Sequence, residues 1–173
     1  MRRALVVMGT AGSGKTLIGS RLADAIGARF VEGDQFHPPA NIARMAAGTP
    51  LTDDDRHDWL VALSQQLAAA RAEECGVVVS CSALKRRYRD LLRHGDPSVR
   101  FIFLHGEPAL LRSRLEARTG HYMAADMLES QLEILEAPAP DERAWSFDVR
   151  TAPEAIVRTI IDALTAETGD PDS

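Results

Sequence analysis

Apolar residues fall into two kinds of pattern along the chain. Short, almost wholly apolar runs at 4–8, 77–81 and 100–104 predict strands buried on both faces, and 29–32 and 146–149 predict two shorter ones. Between the runs, apolar positions recur at helical spacing. Leu17, Ile18, Leu22, Ala25 and Ile26 make the inner face of a helix over 15–26 that Gly27 stops. Trp59, Leu60, Leu63, Leu67 and Ala70 do the same over 53–74, with Gly76 as the terminator. Thr52 and Asp55 supply a capping box for that helix, and Asp53, Asp54 and Asp55 suit its positive end. Further helices are predicted over 40–47, 84–94, 107–118 and 124–136. Thr151 to Glu154 reads as a second capping box, with Pro153 in the first turn, opening a last helix that runs to about 165.

Strands alternating with helices imply an α/β fold, a five-stranded parallel sheet with helices on both faces. The pattern leaves the strand order open. A length of 173 residues fits one domain with a real core. The helical pattern breaks at 119–123, which predicts a short mobile lid over 118–124, and the polar tail 168–173 predicts a frayed end.

Composition removes several functional classes. A net charge of -5 argues against a dedicated nucleic-acid binder. No stretch approaches the length of a membrane span. Arg2-Arg3 and the following five-residue run resemble a leader, but the run is too short and leads directly into a glycine-rich turn. Cys75 and Cys81 lack metal-site spacing and predict inert thiols in a reducing cytoplasm.

That turn is the strongest chemical signal. Gly9-Thr10-Ala11-Gly12-Ser13-Gly14-Lys15-Thr16 fits G-x-x-x-x-G-K-[ST], with a strand before it and a helix after it. Backbone N–H groups in such a turn converge on phosphate oxygens, and the helix adds its positive end. Lys15 would bridge the terminal phosphates of ATP, and the Thr16 hydroxyl would ligate Mg²⁺. Five strands with this loop after the first is the P-loop kinase arrangement.

Phosphoryl transfer also needs an acceptor site, cations and a carboxylate near the attacking hydroxyl. Asp34 closes the second strand, at the sheet edge where ligands sit, and is the candidate to orient the acceptor hydroxyl. Glu32 is a candidate to hold a Mg²⁺-bound water, or a plain surface charge at a strand end. Lys85, Arg89 and Arg93 share one helix face at i, i+4, i+8, which fits an anion clamp, a nucleic-acid patch or a solvated basic face. Arg114 and Arg118 have the same spacing and fit either a lid that closes over ATP or a surface helix. His37 and His121 read as polar loop residues, Trp59 as core, and Trp145 as unassigned, with adenine stacking one option.

Longer blocks carry a resemblance. Glu32 to Pro38, Asn41 to Met45, Gly48 to Arg56 with Trp59-Leu60, and Cys81 to Arg93 closely resemble the gluconokinase family. Arg114 to Arg118 with Gly120 to Met123 looks like that family's lid, and Gln131, Leu135-Glu136 and Pro138 continue the match. The resemblance implies ATP- and Mg²⁺-dependent phosphorylation of D-gluconate to 6-phosphogluconate by a cytoplasmic homodimer. It implies gluconate contacts at Asp34, Arg56, Lys85 and Arg89, site-lining roles for His37 and Arg44, and a lid role for Arg118 with His121 nearby. It gives Lys85 and Arg89 a carboxylate to hold. Two rivals remain: a same-fold kinase of another hydroxylated acid such as shikimate, and a nucleotide-dependent regulatory protein without phosphotransfer.

Overall fold

The structure is a computed structural model and describes residues 2–119 and 122–169. Strands β1 (Ala4–Met8), β2 (Arg29–Glu32), β3 (Val77–Ser80), β4 (Arg100–His105) and β5 (Ala144–Asp148) form one sheet in the order β2-β3-β1-β4-β5. All four pairings are parallel. Helices α1 (Lys15–Ile26), α2 (Pro39–Ala46), α3 (Asp53–Ala72), α4 (Arg86–Gly95), α5 (Pro108–Thr119), α6 (Tyr122–Ile134) and α7 (Pro153–Thr168) complete the α/β P-loop kinase fold.

Alternation along the strands explains the two layers, since successive side chains point to opposite faces. Val6, Met8, Val77, Val79, Phe101 and Phe103 meet Trp59, Leu60, Leu63 and Leu67 of α3 and Tyr88 and Leu92 of α4. Leu5, Val7, Val78, Ile102 and Leu104 meet Ile18 and Leu22 of α1, Leu111 and Leu115 of α5, and Ile156, Ile160 and Leu164 of α7. Every residue of β1 is buried, as a central parallel strand requires.

Several element ends differ from the sequence expectation. The Thr52–Asp55 capping box forms, with both reciprocal bonds (3.1 and 2.9 Å). Its helix stops at Ala72, and the left-handed turn residue is Glu74 (φ 55), not Gly76. Gly76 instead permits close approach, because a Cβ there would lie 3.1 Å from that of Ala28. Helix α4 starts at Arg86, two residues late, because Ala83 (φ 45) and the extended Lys85 turn the chain first. Thr151 does not cap α7, whose N-cap is Ala152 with Pro153 behind it, and the helix continues through Thr168. The expected break at 119–123 narrows, because α5 reaches Thr119 and α6 begins at Tyr122. Gly120 and His121 of the expected lid, and residues 170–173 of the expected frayed tail, lie outside the described residues.

Candidate active site

The turn Gly9–Thr16 joins the C-terminal end of β1 to α1, so it sits at the sheet edge where parallel sheets bind ligands. Gly12 has φ +81, and a Cβ there would lie 2.8 Å from the Leu111 carbonyl, so only glycine lets α5 close on the loop. Among the described residues the buried Ser13 hydroxyl has no hydrogen-bond partner. An orphaned donor among inward backbone N–H groups at a helix N-terminus fits an anionic ligand. Lys15 Nζ donates to the Thr10 carbonyl at 3.0 Å, folding back over the loop. Burial pushes its ammonium below the usual lysine value, while Asp34, Cys81 and Glu32 pull it back up.

The end of β2 meets this loop. The Thr16 hydroxyl donates to Glu32 Oε2 and the Ser80 hydroxyl to Glu32 Oε1, both at 2.6 Å. Oxygen donors of this kind suit Mg²⁺, whose remaining ligands come from phosphate and water. Among the described residues no cluster of three His, Cys, Asp or Glu could hold a metal ion by itself. Gly33 then threads beside β3, where a Cβ would lie 2.0 Å from the Ser80 carbonyl. Its own carbonyl accepts the Trp59 indole N–H at 2.8 Å. Together these contacts fix the 3-10 turn Gly33–Phe36 that carries Asp34.

Two cavities flank the loop. One, of about 240 Å³, is bordered by Lys15, Asp34, His37, Arg56, Ser82 and Gln131. The other, of about 600 Å³, is bordered by Gly12, Thr16, Arg114, Arg118, Val149 and Pro153. Lys15 and Asp34 face the first cavity while Thr16 and Arg118 face the second. The loop therefore borders two separate cavities, which leaves room for an acceptor in one and a nucleotide in the other.

The smaller cavity has a built wall. His37 stacks on Trp59 with centroids 4.1 Å apart, and its Nδ1 lies 3.3 Å from the Asn41 amide nitrogen. Burial lowers the His37 pKa and Arg56 adds to this, with Asp34 opposing. Arg56 is nearly buried, its guanidinium donating to the Leu51 carbonyl at 2.7 Å and the Tyr88 hydroxyl at 3.2 Å. Tyr88 in turn donates to Asp53. Burial and that carboxylate push the phenol up to about 12, so it stays protonated and holds the chain of bonds together.

Not every residue singled out from sequence reaches a cavity. Lys85 precedes α4 rather than lying in it, so of the expected i, i+4, i+8 stripe only Arg89 and Arg93 share a helix face. Its ammonium pairs with Asp53 at 3.0 Å. Arg89 is fully buried and grips Glu142 through Nε (2.7 Å) and Nη2 (3.1 Å), with Nη1 on the Ala83 carbonyl. Arg93 joins the same carboxylate at 3.0 Å, so α4 presents a structural ion cluster rather than a substrate clamp or a solvated face. Arg44 points to Asp55 at 3.7 Å and is half exposed, outside the cavity wall. Trp145 lies under the Arg100 guanidinium at 4.1 Å and borders neither cavity, which removes it as an adenine platform. Cys81 is buried, and burial pushes its thiol up to about 12.

Other wall residues have no individual site role legible in the sequence, although Gln131 and Ser82 lie in the blocks that carry the family resemblance. Gln131 accepts the Ala11 N–H at 2.7 Å across 120 positions of sequence, and Ser82 and Ser130 border the same cavity. Val149, Thr151, Pro153 and Ile156 wall the larger one. Arg114 ties α5 to that wall by donating to the Val149 carbonyl at 2.8 Å.

The family profile described as Shikimate kinase matches residues 11–165. The thermoresistant gluconokinase of Escherichia coli (strain K12) is 42% identical over 160 residues, covering 92% of this chain and 91% of that protein. The gluconokinase of Gluconobacter oxydans (strain 621H) is 41% identical over 165 residues, covering 95% and 93%. A crystal structure of a gluconokinase from Sinorhizobium meliloti 1021 superposes with a TM-score of 0.83 at 48% identity, covering 91% of this chain and 90% of that one.

Proposed function

The chain belongs to the shikimate kinase family of P-loop kinases and within it to the gluconokinases, and on that premise we propose that it transfers the terminal phosphoryl group of ATP to D-gluconate, giving 6-phosphogluconate. The observation that carries this reading is a single cavity bordered by Lys15, Asp34 and Arg56. It offers a carboxylate for a hydroxyl, a guanidinium for a carboxylate, and the phosphate loop between them and the nucleotide. Relatives 41–48% identical over more than nine-tenths of this chain are gluconokinases, which favours gluconate over another hydroxylated acid.

In this reading Asp34 accepts a hydrogen bond from the terminal hydroxyl of gluconate, aligns it on the γ-phosphorus and takes its proton as the oxygen bonds to phosphorus and the bond from phosphorus to the leaving ADP oxygen breaks. Lys15 and Arg118 hold the equatorial oxygens of the migrating phosphoryl group, whose charge spreads in a loose transition state. Arg56 anchors the gluconate carboxylate, a charge-assisted contact whose geometry Leu51 and Tyr88 set in advance. Thr16 and Glu32 would hold Mg²⁺, Glu32 through water; the ion would supply positive charge to offset that of the phosphates. The reading carries with it a cytoplasmic homodimer, as the family resemblance implies. Among the described residues no helix is long and apolar enough to cross a membrane.

The test is a panel of sugar acids and polyols, shikimate included, incubated with purified protein, ATP and Mg²⁺ and read as ADP release. Gluconate-dependent turnover is expected. Turnover with shikimate alone, or with none of them, overturns the assignment.

A further inference from the structure

The acceptor cavity contains a hydrogen-bond arrangement that settles a proton. Asn41 is almost fully buried at the start of α2. Its amide nitrogen donates to the Asp55 carbonyl at 2.7 Å. A carbonyl can only accept, so this contact fixes which end of the amide is nitrogen. The same nitrogen also faces His37 Nδ1 at 3.3 Å. With an N–H on one side of that contact, Nδ1 must be the acceptor, and the ring proton of neutral imidazole must sit on Nε2. Among the described residues Nε2 has no protein partner, yet it is not an orphaned buried atom, so it reaches the open cavity that His37 borders.

We infer that Asn41 is a positioning residue that locks His37 in its Nε2-protonated tautomer, making His37 a fixed donor to a hydroxyl of the acceptor. This rests on the reading that the cavity takes a polyol acid such as gluconate. The surrounding groups agree. Asp34 on the 3-10 turn favours an imidazolium, while Arg56 from α3 and the apolar Trp59 face oppose it, as does burial. Lys15 of α1 borders the same cavity and adds positive charge. An imidazolium would also turn an Nδ1–H against the Asn41 N–H, so the hydrogen bonds and the charges select the same state. The chemistry suits a sugar acid. A carboxylate finds Arg56, a hydroxyl that must give up its proton finds Asp34, and a hydroxyl that must accept finds His37.

The direct test is the ¹⁵N spectrum of the imidazoles in the full-length protein at neutral pH, with the His37 signals assigned by their loss in His37→Gln. The Nε2–H tautomer is expected, and an Nδ1–H tautomer or an imidazolium overturns the inference. In Asn41→Asp the carboxylate should draw the proton to Nδ1 and make the KM for gluconate vary with pH between about 6 and 8. Because that variant also strips the donor from the Asp55 carbonyl and can unfold, His37→Phe supplies a second arm. It keeps the stack on Trp59 but lacks the donor, and should raise the KM for gluconate roughly tenfold with the KM for ATP unchanged. His37→Gln, which retains an N–H, should stay within a few-fold of wild type. An unchanged KM in His37→Phe overturns the donor role. Absence of gluconate turnover in the wild type overturns the functional reading instead, while the tautomer is still decided by the spectrum.

Discussion

The Thr16 hydroxyl donates to the Glu32 carboxylate at 2.6 Å, tying the start of α1 to the end of β2. Glu32, not Asp34, is thus the carboxylate in contact with the hydroxyl proposed to ligate magnesium, and Asp34 is left to face the acceptor cavity. Glu32→Gln should raise the Mg²⁺ concentration for half-maximal rate by about tenfold, the scale of losing an outer-sphere partner. The KM for gluconate should not move. A Mg²⁺ titration at saturating ATP and gluconate checks this, and an unchanged midpoint removes Glu32 from the metal site.

Lys15 and Asp34 border the same cavity but are assigned different tasks. Lys15→Ala should lower kcat by roughly 100-fold or more, as expected for loss of a preorganised charge at the transition state. Asp34→Asn should lower kcat by about 100-fold or more while leaving ATP affinity intact, because it acts on the acceptor hydroxyl. Steady-state kinetics with an independent nucleotide-binding measurement separates the two. A normal kcat in Asp34→Asn would transfer the alignment role to another group.

Arg56 is held from two sides, by Leu51 and by Tyr88. Arg56→Ala should raise the KM for gluconate by about 100-fold, on the scale of a charge-assisted hydrogen bond to a carboxylate, with little change in the KM for ATP. Tyr88→Phe removes one tie and should raise the same KM only a few-fold. If Tyr88→Phe alters the KM for ATP instead, the bond chain serves the nucleotide side.

Arg89 and Glu142 predict a stability effect in place of a binding effect. Breaking a buried pair strands a charge, so Arg89→Ala should destabilise the fold by about 3–5 kcal/mol. Burial pushes the Glu142 carboxyl up, but hydrogen bonds from Arg89, the Ala139 N–H and Arg93 outweigh it and hold the pKa at about 2, below the ordinary 4.5. A carboxylate lowered on folding stabilises fully above its unfolded pKa, and that stability is lost as pH falls through the folded value. Chemical denaturation from pH 6 to 2 should therefore show about 3 kcal/mol of stability draining away below roughly pH 4.5. Glu142→Gln should flatten that slope. An equal slope in the variant would assign acid sensitivity to other carboxylates.

The sequence carried what is local. The Gly9–Thr16 loop is recognisable because its eight residues and their flanks do the work themselves, and Asp34 because a strand end locates it. The fate of Arg89 was illegible because its partner Glu142 lies 53 positions away, on a 3-10 turn that no periodicity announces. The spacing of Lys85 from Arg89 and Arg93 is deceptive because the left-handed Ala83 keeps Lys85 out of the helix. Helical periodicity places Trp59 inward, but its indole N–H and its ring also serve the candidate site, through Gly33 and His37. Gln131 became a loop partner only when the fold brought α6 over Ala11.

The strand order gives the two substrates unequal anchorage. The phosphate loop hangs from β1, paired on both sides at the middle of the sheet, whereas Glu32 ends β2 at its margin and Asp34 and His37 follow it. Amide protons of β1 should exchange only when the whole domain opens, and those of β2 through smaller excursions that leave the centre intact. A molecule frayed at that margin keeps its grip on the triphosphate after losing its acceptor. Gentle heating should therefore silence the kinase while nucleotide binding persists.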